Sequence, residues 1–144
     1  MNTNDVWFTV NELYKQVDVF FIGSVDNNGF PNQKVVFPAK RRETIEEIFF
    51  STNTSSMRVK QYLENPKACV YFVNQQTFQA AMLTGKMSVM HDQSIKSQLW
   101  NLGDEQYYPQ GETDSDYCIL QFKSEKGRYY HNLHSIDFDV SNRR

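Results

Sequence analysis

Residues 49–66 read "FFSTNTSSMRVKQYLENP". The segment passes from an apolar strand-like start into a helix expected over Thr54 to Glu64, which Asn65-Pro66 closes because proline drives the residue before it out of helical backbone. The charges on that helix oppose its dipole. A helix start carries a partial positive charge and attracts carboxylates, yet Ser51 to Tyr62 holds no acid and does hold Arg58 and Lys60. Thr52, Thr54, Ser55 and Ser56 add hydroxyls beside the unpaired first-turn amides, and together these groups suit a phosphate. Each cation opposes the dipole by about 0.3–1 kcal/mol, a cost that a dianion bound between them reverses. The simpler alternative is that Ser55 or Ser56 caps the helix while Arg58 and Lys60 extend into water.

The flanking sequence places this helix in a β-rich domain. Upstream, "DVFFIGSVDNNGFPNQKVVFPAK" gives two strands around Asp26-Asn27-Asn28-Gly29, an antiparallel hairpin signal. "IFFST" forms a third strand, "KACVYFVN" and "FQAAMLTGKMSVMH" two more with a turn at Asn74 to Thr77, and "YCILQFKS" and "GRYYHNLHSIDFDV" the last, joined through Glu125-Lys126-Gly127. Apolar spacing at Val6, Trp7, Val10, Leu13, Tyr14 and Val17 predicts an opening helix capped by Asn4 or Thr3. Ile95, Leu99 and Leu102 predict a surface helix from Asp92. Six or so hairpin-linked strands with short helices indicate a mainly β fold, a small β-barrel with peripheral α-helices, as one domain over residues 1–144.

Lys34 lies on the otherwise apolar run "NQKVVFPA", where an ammonium needs a partner, either a bound anion or an acid. With 15 basic and 17 acidic residues, a net charge of −2 gives no global field for nucleic acid. The run Ala39 to Arg42 is followed at once by Glu43, Glu46 and Glu47 and reads as a solvated, self-compensated turn. Cys69 and Cys118 are separate and read as buried free thiols, which fits a reducing compartment. No signal-peptide pattern and no apolar run of membrane-spanning length occurs, so a cytoplasmic protein without a membrane partner is expected. His131 and His134, three apart on a presumed strand, are expected on opposite faces, which argues against a metal site. Glu112, Asp114 and Asp116 lack the glycine and terminal acid of a calcium loop and read as a solvated turn. Trp100, Tyr107 and Tyr108 read as core or interface packing.

In order and spacing, "GSVDNNGFPNQKVVFP", Thr52-Asn53-Thr54-Ser55-Ser56-Met57-Arg58, "NPKACVYF", "LTGKMSV", Leu99-Trp100 and "YYPQGETDSDYCILQF" resemble the FMN-binding split barrels related to pyridoxamine 5'-phosphate oxidase, in particular the general stress protein branch. The resemblance covers nearly the whole chain. It implies that Lys34, Ser56 and Arg58 grip the FMN phosphate, that Ser51 and Thr52 line the neighbouring path, and that Val35, Val36 and Phe37 lie along the isoalloxazine. It further implies a homodimer with two FMN sites at the interface, to which Trp100 or Tyr108 of the partner chain contributes. The chain departs from the oxidases themselves at Ala39, Met57 and Ala80, where that family carries a lysine, an arginine and a glutamine, and it lacks their C-terminal Arg- and Trp-bearing segment. A flavin supplies redox chemistry without an obligatory catalytic side chain. Three functions are therefore compatible with the sequence: an FMN-dependent oxidoreductase acting on a small molecule, a non-catalytic module holding FMN, a deazaflavin or haem, and an empty barrel used for protein association.

Overall fold

The opening helix, α1 (Thr3–Gln16), begins one residue earlier than its sequence suggests. Asn2 is the cap: its side-chain oxygen accepts from Asp5 N at 3.0 Å while Asp5 Oδ2 accepts from Asn2 N at 3.3 Å. This reciprocal pair satisfies two otherwise orphaned amides. Val6, Val10, Leu13, Tyr14 and Val17 are buried as the spacing requires. The computed structural model describes residues 2–38 and 42–141.

Strands β1 (Phe20–Val25) and β2 (Pro31–Val36) form the expected hairpin. Asp26 Oδ1 accepts from Asn28 N and Phe30 N, both at 2.9 Å, and Gly29 takes a φ of +83° that other residues avoid. Next come β3 (Glu47–Asn53), α2 (Met57–Glu64), β4 (Lys67–Asn74), β5 (Gln79–Met90), α3 (Gln93–Leu99), β6 (Tyr117–His131) and β7 (His134–Asp139). Helix α2 is shorter than expected because residues 54–56 form a turn whose last member, Ser56, is the cap. Helix α3 starts at its Asp92 cap but stops at Leu99. Leu102, expected on its buried face, is 99% exposed, since Asp104 Oδ2 takes Asn101 N and Gly103 turns with a φ of +98°.

All strands join one antiparallel sheet in the order β2-β1-β4-β5-β6-β3, with β7 also on β6. The fifteen-residue β6 is paired along its length by β5, while its other edge is shared, β3 taking Tyr117 to Lys123 and β7 taking Lys126 to His131. Among the described residues a single bridge, Pro38 to Phe50, brings the end of β2 to β3 and closes the barrel. Phe20, Phe50, Phe72, Phe122 and Tyr14 fill the interior, with Phe20 and Phe72 ring centroids 5.0 Å apart.

The segment Glu125-Lys126-Gly127 is not a turn. The ladder shifts between Thr84, opposite Lys126, and Gly85, opposite Ser124, so Glu125 is the extra residue of a β-bulge and the strand runs on. The turn falls at Asn132 and Leu133, both at positive φ, and sets His131 directly opposite His134. The two histidines therefore share a face rather than standing on opposite ones, because a hairpin turn and not a strand lies between them. Among the described residues no group of three potential ligands surrounds a metal position. Cys69 is half-buried and Cys118 buried, both as free thiols. No described helix is long and apolar enough to cross a membrane.

Arg42 is no part of a solvated turn. Its Nη1 donates to Tyr14 O at 3.1 Å and Val17 O at 2.6 Å, and its Nη2 pairs with Asp18 at 3.0 Å, which closes the C-terminal end of α1. Ala39, Lys40 and Arg41 lie outside the described residues.

Candidate functional site

From the Pro38–Phe50 bridge, β2 and β3 share no further ladder pair among the described residues. Leading away from the bridge, β2 runs back through Phe37 and Val36 to Lys34 while β3 runs on through Ser51 and Thr52 to the turn that begins α2. The barrel thus opens as a wedge, narrow at Phe37 and Ser51 and wide at Lys34 and the 53–56 turn.

At the wide end, the Ser56 hydroxyl accepts from Val59 N at 3.4 Å, so the capping alternative holds for this residue. Several donors that the sequence offered to an anion are already engaged. Thr54 N donates to Asp116 O at 2.6 Å and Thr54 Oγ1 to Ser115 O at 3.2 Å. Ser55 N donates to Asp116 Oδ1 at 2.9 Å, and Ser55 Oγ accepts from Asn53 Nδ2 at 2.9 Å. What remains is the hydroxyl protons of Ser55 and Ser56 and the first-turn amides of Met57 and Arg58, which have no acceptor within their helix.

Arg58 stands in that first turn, which contains no acidic residue. Its Nε is buried and has no hydrogen-bond partner among the described residues, whereas Arg128 Nε meets Asp137 at 2.6 Å. A buried donor left unmade costs on the order of 1–3 kcal/mol, more when charged. Such a group calls for an acceptor. Lys60 cannot share one with Arg58, because two residues along a helix is about 200° of rotation. It lines instead a separate cleft of about 290 Å³ beside Asp26, Asn27, Asn28 and Glu64. The expected single anion between Arg58 and Lys60 therefore does not fit this helix, whose two cations point to different sides.

Lys34 pairs with Ile22 and so shares the face of the hairpin that also carries Ser24. Ser24 Oγ donates to Gln61 Oε1, and Tyr62 OH donates to Gly23 O at 2.9 Å, which fastens α2 to the hairpin. These two bonds fix α2, which carries Arg58, against the hairpin that carries Lys34. The premise that Lys34 sits in a buried apolar strand fails, however. It is exposed on a strand whose Val35 and Phe37 are 49% and 73% exposed, and the need for a desolvated partner falls away. Val36 alone of the three turns toward the core.

Ser51 and Thr52 lie on opposite faces of β3. Thr52 is buried opposite Cys118, inside the barrel. Ser51 shares the outer face with Phe49 and Ile119. Its buried Oγ lies near enough to the Tyr117 phenol to affect that group's titration, but lacks a hydrogen bond of good geometry, and the phenol donates to Lys96 O at 2.8 Å. Burial pushes the Tyr117 phenol up to about 12. Trp100 stacks edge-on against Tyr117 at 5.1 Å and lies 6.2 Å from Tyr108, so it belongs to an aromatic cluster outside β3.

The acidic loop is also more than a solvated turn. Glu112 Oε1 accepts from Ser97 Oγ at 2.9 Å. Asp114 accepts from Asp116 N at 2.9 Å and Gln110 N at 3.1 Å, and these amides hold its carboxyl below the usual range. Asp116 and Gln61 are the site-building residues the sequence did not reveal. Asp116 carries only one local signal, its place in "TDSDY" just before a strand.

The family model for proteins like pyridoxamine 5'-phosphate oxidase matches residues 5–140. A protein from Clostridium acetobutylicum, described as related to general stress protein 26 of Bacillus subtilis and of the pyridoxinephosphate oxidase family, is 34% identical, with a TM-score of 0.87 over 98% of this chain and 99% of that one. A pyridoxamine 5'-phosphate oxidase-related, FMN-binding protein from Nostoc punctiforme superposes with a TM-score of 0.61 at 12% identity, covering 94% of this chain and 95% of its own. A haem-binding protein from Mycobacterium smegmatis gives 0.73 at 10% identity, covering 98% of this chain and 59% of its own. The last two share the fold. A search of curated proteins finds no significant match.

Proposed function

The chain belongs to the pyridoxamine 5'-phosphate oxidase-like family, and from that premise we propose that it is a flavoprotein holding FMN in the wedge between β2 and β3. The observation that carries this reading is the buried Nε of Arg58, which has no hydrogen-bond partner among the described residues. A phosphate ester beside it would receive the Arg58 guanidinium, the Ser55 and Ser56 hydroxyls and the Lys34 ammonium. The ring would lie toward the narrow end, against Val35, Val36 and Phe37 on one side and Ser51 and Thr52 on the other.

FMN when bound supplies hydride or electron transfer, and the chain's own residues bind and orient it. We take the activity to be that of a flavin-dependent oxidoreductase acting on a small molecule. Pyridoxamine phosphate itself does not fit this reading, since Met57, 66% exposed, and Ala80 replace groups that the oxidases use. The outward exposure of Phe30, Val35 and Phe37 supports a homodimer in which a partner chain covers that edge and brings Trp100 or Tyr108 to the site. The free thiols support the cytoplasm as its compartment.

Protein purified without added cofactor should be yellow and should lose FMN when Lys34 and Arg58 are both replaced by Ala. Colourless protein that also ignores added FMN would remove the reading. Anaerobic photoreduction followed by mixing with candidate acceptors, and NAD(P)H offered as donor, tests the enzymatic part. If no partner exchanges electrons faster than oxygen alone, the oxidoreductase assignment gives way to a non-catalytic flavin carrier.

A further inference from the structure

Asp116, the last residue before β6, places a carboxylate beside a cradle suited to a phosphate. Like charges at close range repel, so on charge alone this acid opposes the ligand. Its geometry gives it a second role. Its Oδ1 takes Ser55 N at 2.9 Å and its carbonyl takes Thr54 N at 2.6 Å, which fixes the turn from which Ser55, Ser56 and Arg58 project.

The turn is tied further back. Asp116 N donates to Asp114 Oδ1 at 2.9 Å, Asp114 O accepts from the buried Lys96 Nζ at 3.1 Å, and Lys96 O accepts from Tyr117 OH at 2.8 Å. Trp100 rests on that tyrosine ring. A continuous path of hydrogen bonds and one ring contact therefore joins the aromatic cluster outside β3 to the α2 turn.

Resting on the reading of the wedge as an FMN site, we propose that Asp116 is a positioning residue for the phosphate cradle, whose acceptor oxygen presets the turn and whose negative charge moderates affinity for the dianion. The two effects have opposite signs and separate by substitution. Asp116→Asn keeps an oxygen acceptor for Ser55 N and removes the charge. Asp116→Ala removes both.

The test titrates FMN and riboflavin, which lacks the phosphate, into apoprotein of the wild type and of Asp116→Asn, Asp116→Ala and Arg58→Ala, following flavin fluorescence. Asp116→Asn should bind FMN a few-fold more tightly and Asp116→Ala about tenfold more weakly, with riboflavin affinity unchanged in both. Thermal unfolding of each apoprotein shows whether Asp116→Ala still folds. If it does not, Asp116→Asn decides alone. Equal FMN affinity in wild type and both Asp116 variants overturns the inference, as does a parallel loss of FMN and riboflavin, which would mark general damage. When Arg58→Ala loses FMN and the Asp116 variants do not respond, the inference fails and the FMN site stands. A wild type that binds no FMN, or Arg58→Ala that binds like wild type, brings down both.

Discussion

Ser24 on β1 and Gln61 on α2, thirty-seven residues apart and both buried, are joined side chain to side chain. This bond, with Tyr62 OH on Gly23 O, holds α2 against the hairpin that carries Lys34. The positions of the two cations thus depend on a neutral contact within the barrel.

Replacing Gln61 by Leu preserves volume and leaves the Ser24 hydroxyl without an acceptor. An unsatisfied buried hydroxyl costs about 1–3 kcal/mol, and urea unfolding of Gln61→Leu should show a loss of that size with an unchanged denaturant slope. The double variant Gln61→Leu, Ser24→Ala should recover part of it, since no polar group is then stranded. No loss in the single variant would show that the two side chains are independent.

Three lysines oppose one another across the outer face of the sheet, in a row that ends at Glu47 opposite Lys123. Lys67 stands directly opposite Lys86, and Lys86 opposite Lys123, on three adjacent strands. All three are exposed, and no described carboxylate lies within ion-pair distance of them. Directly opposed like charges destabilise a sheet while opposite ones support it. Lys86→Glu should therefore raise stability by about 1 kcal/mol at low ionic strength, with the gain shrinking as salt screens it. A neutral or destabilising effect at low salt would mean that the ammonium groups already splay beyond one another's reach.

Much of the barrel was legible because its strands announce themselves locally. Asp26 to Gly29 marks a hairpin, Asn65-Pro66 a helix end, and "KACVYFVN" a strand bounded as observed. What failed was decided by residues far apart. Glu125 to Gly127 looks like a turn, but Gly85 allows the bulge there, since a Cβ on it would lie 2.0 Å from Lys123 O. Arg42 looks solvated until the chain brings it to the carbonyls of Tyr14 and Val17. In the site, the cations and hydroxyls of residues 51–58 were visible as a group, because sequence neighbours there are also neighbours in space. Asp116 was not, since its partner Ser55 is sixty-one residues away. Lys34 was seen, but for a reason the fold does not support, because apolar composition cannot tell an edge strand with exposed Val35 from a buried one.

Alkaline pH gives a last test of the packing. Burial pushes the phenols of Tyr14 and Tyr117 up to about 12, Arg42 partly opposing this for Tyr14, and burial also raises the Cys118 thiol. In the unfolded chain these groups ionise near about 10 and about 8.5. A folded pKa above the unfolded one means that the unfolded state releases its proton first as pH rises, so stability is whole below the unfolded value and is lost toward the folded one. Urea midpoints should therefore hold steady up to about pH 8 and fall from there to about pH 12. Tyr117→Phe should flatten the upper part of that fall while lowering the plateau, because the bond from Tyr117 OH to Lys96 O is lost. Midpoints that stay level through pH 12 would show that these side chains are solvated in the folded protein, and the aromatic cluster around Trp100 would then not be packed as described.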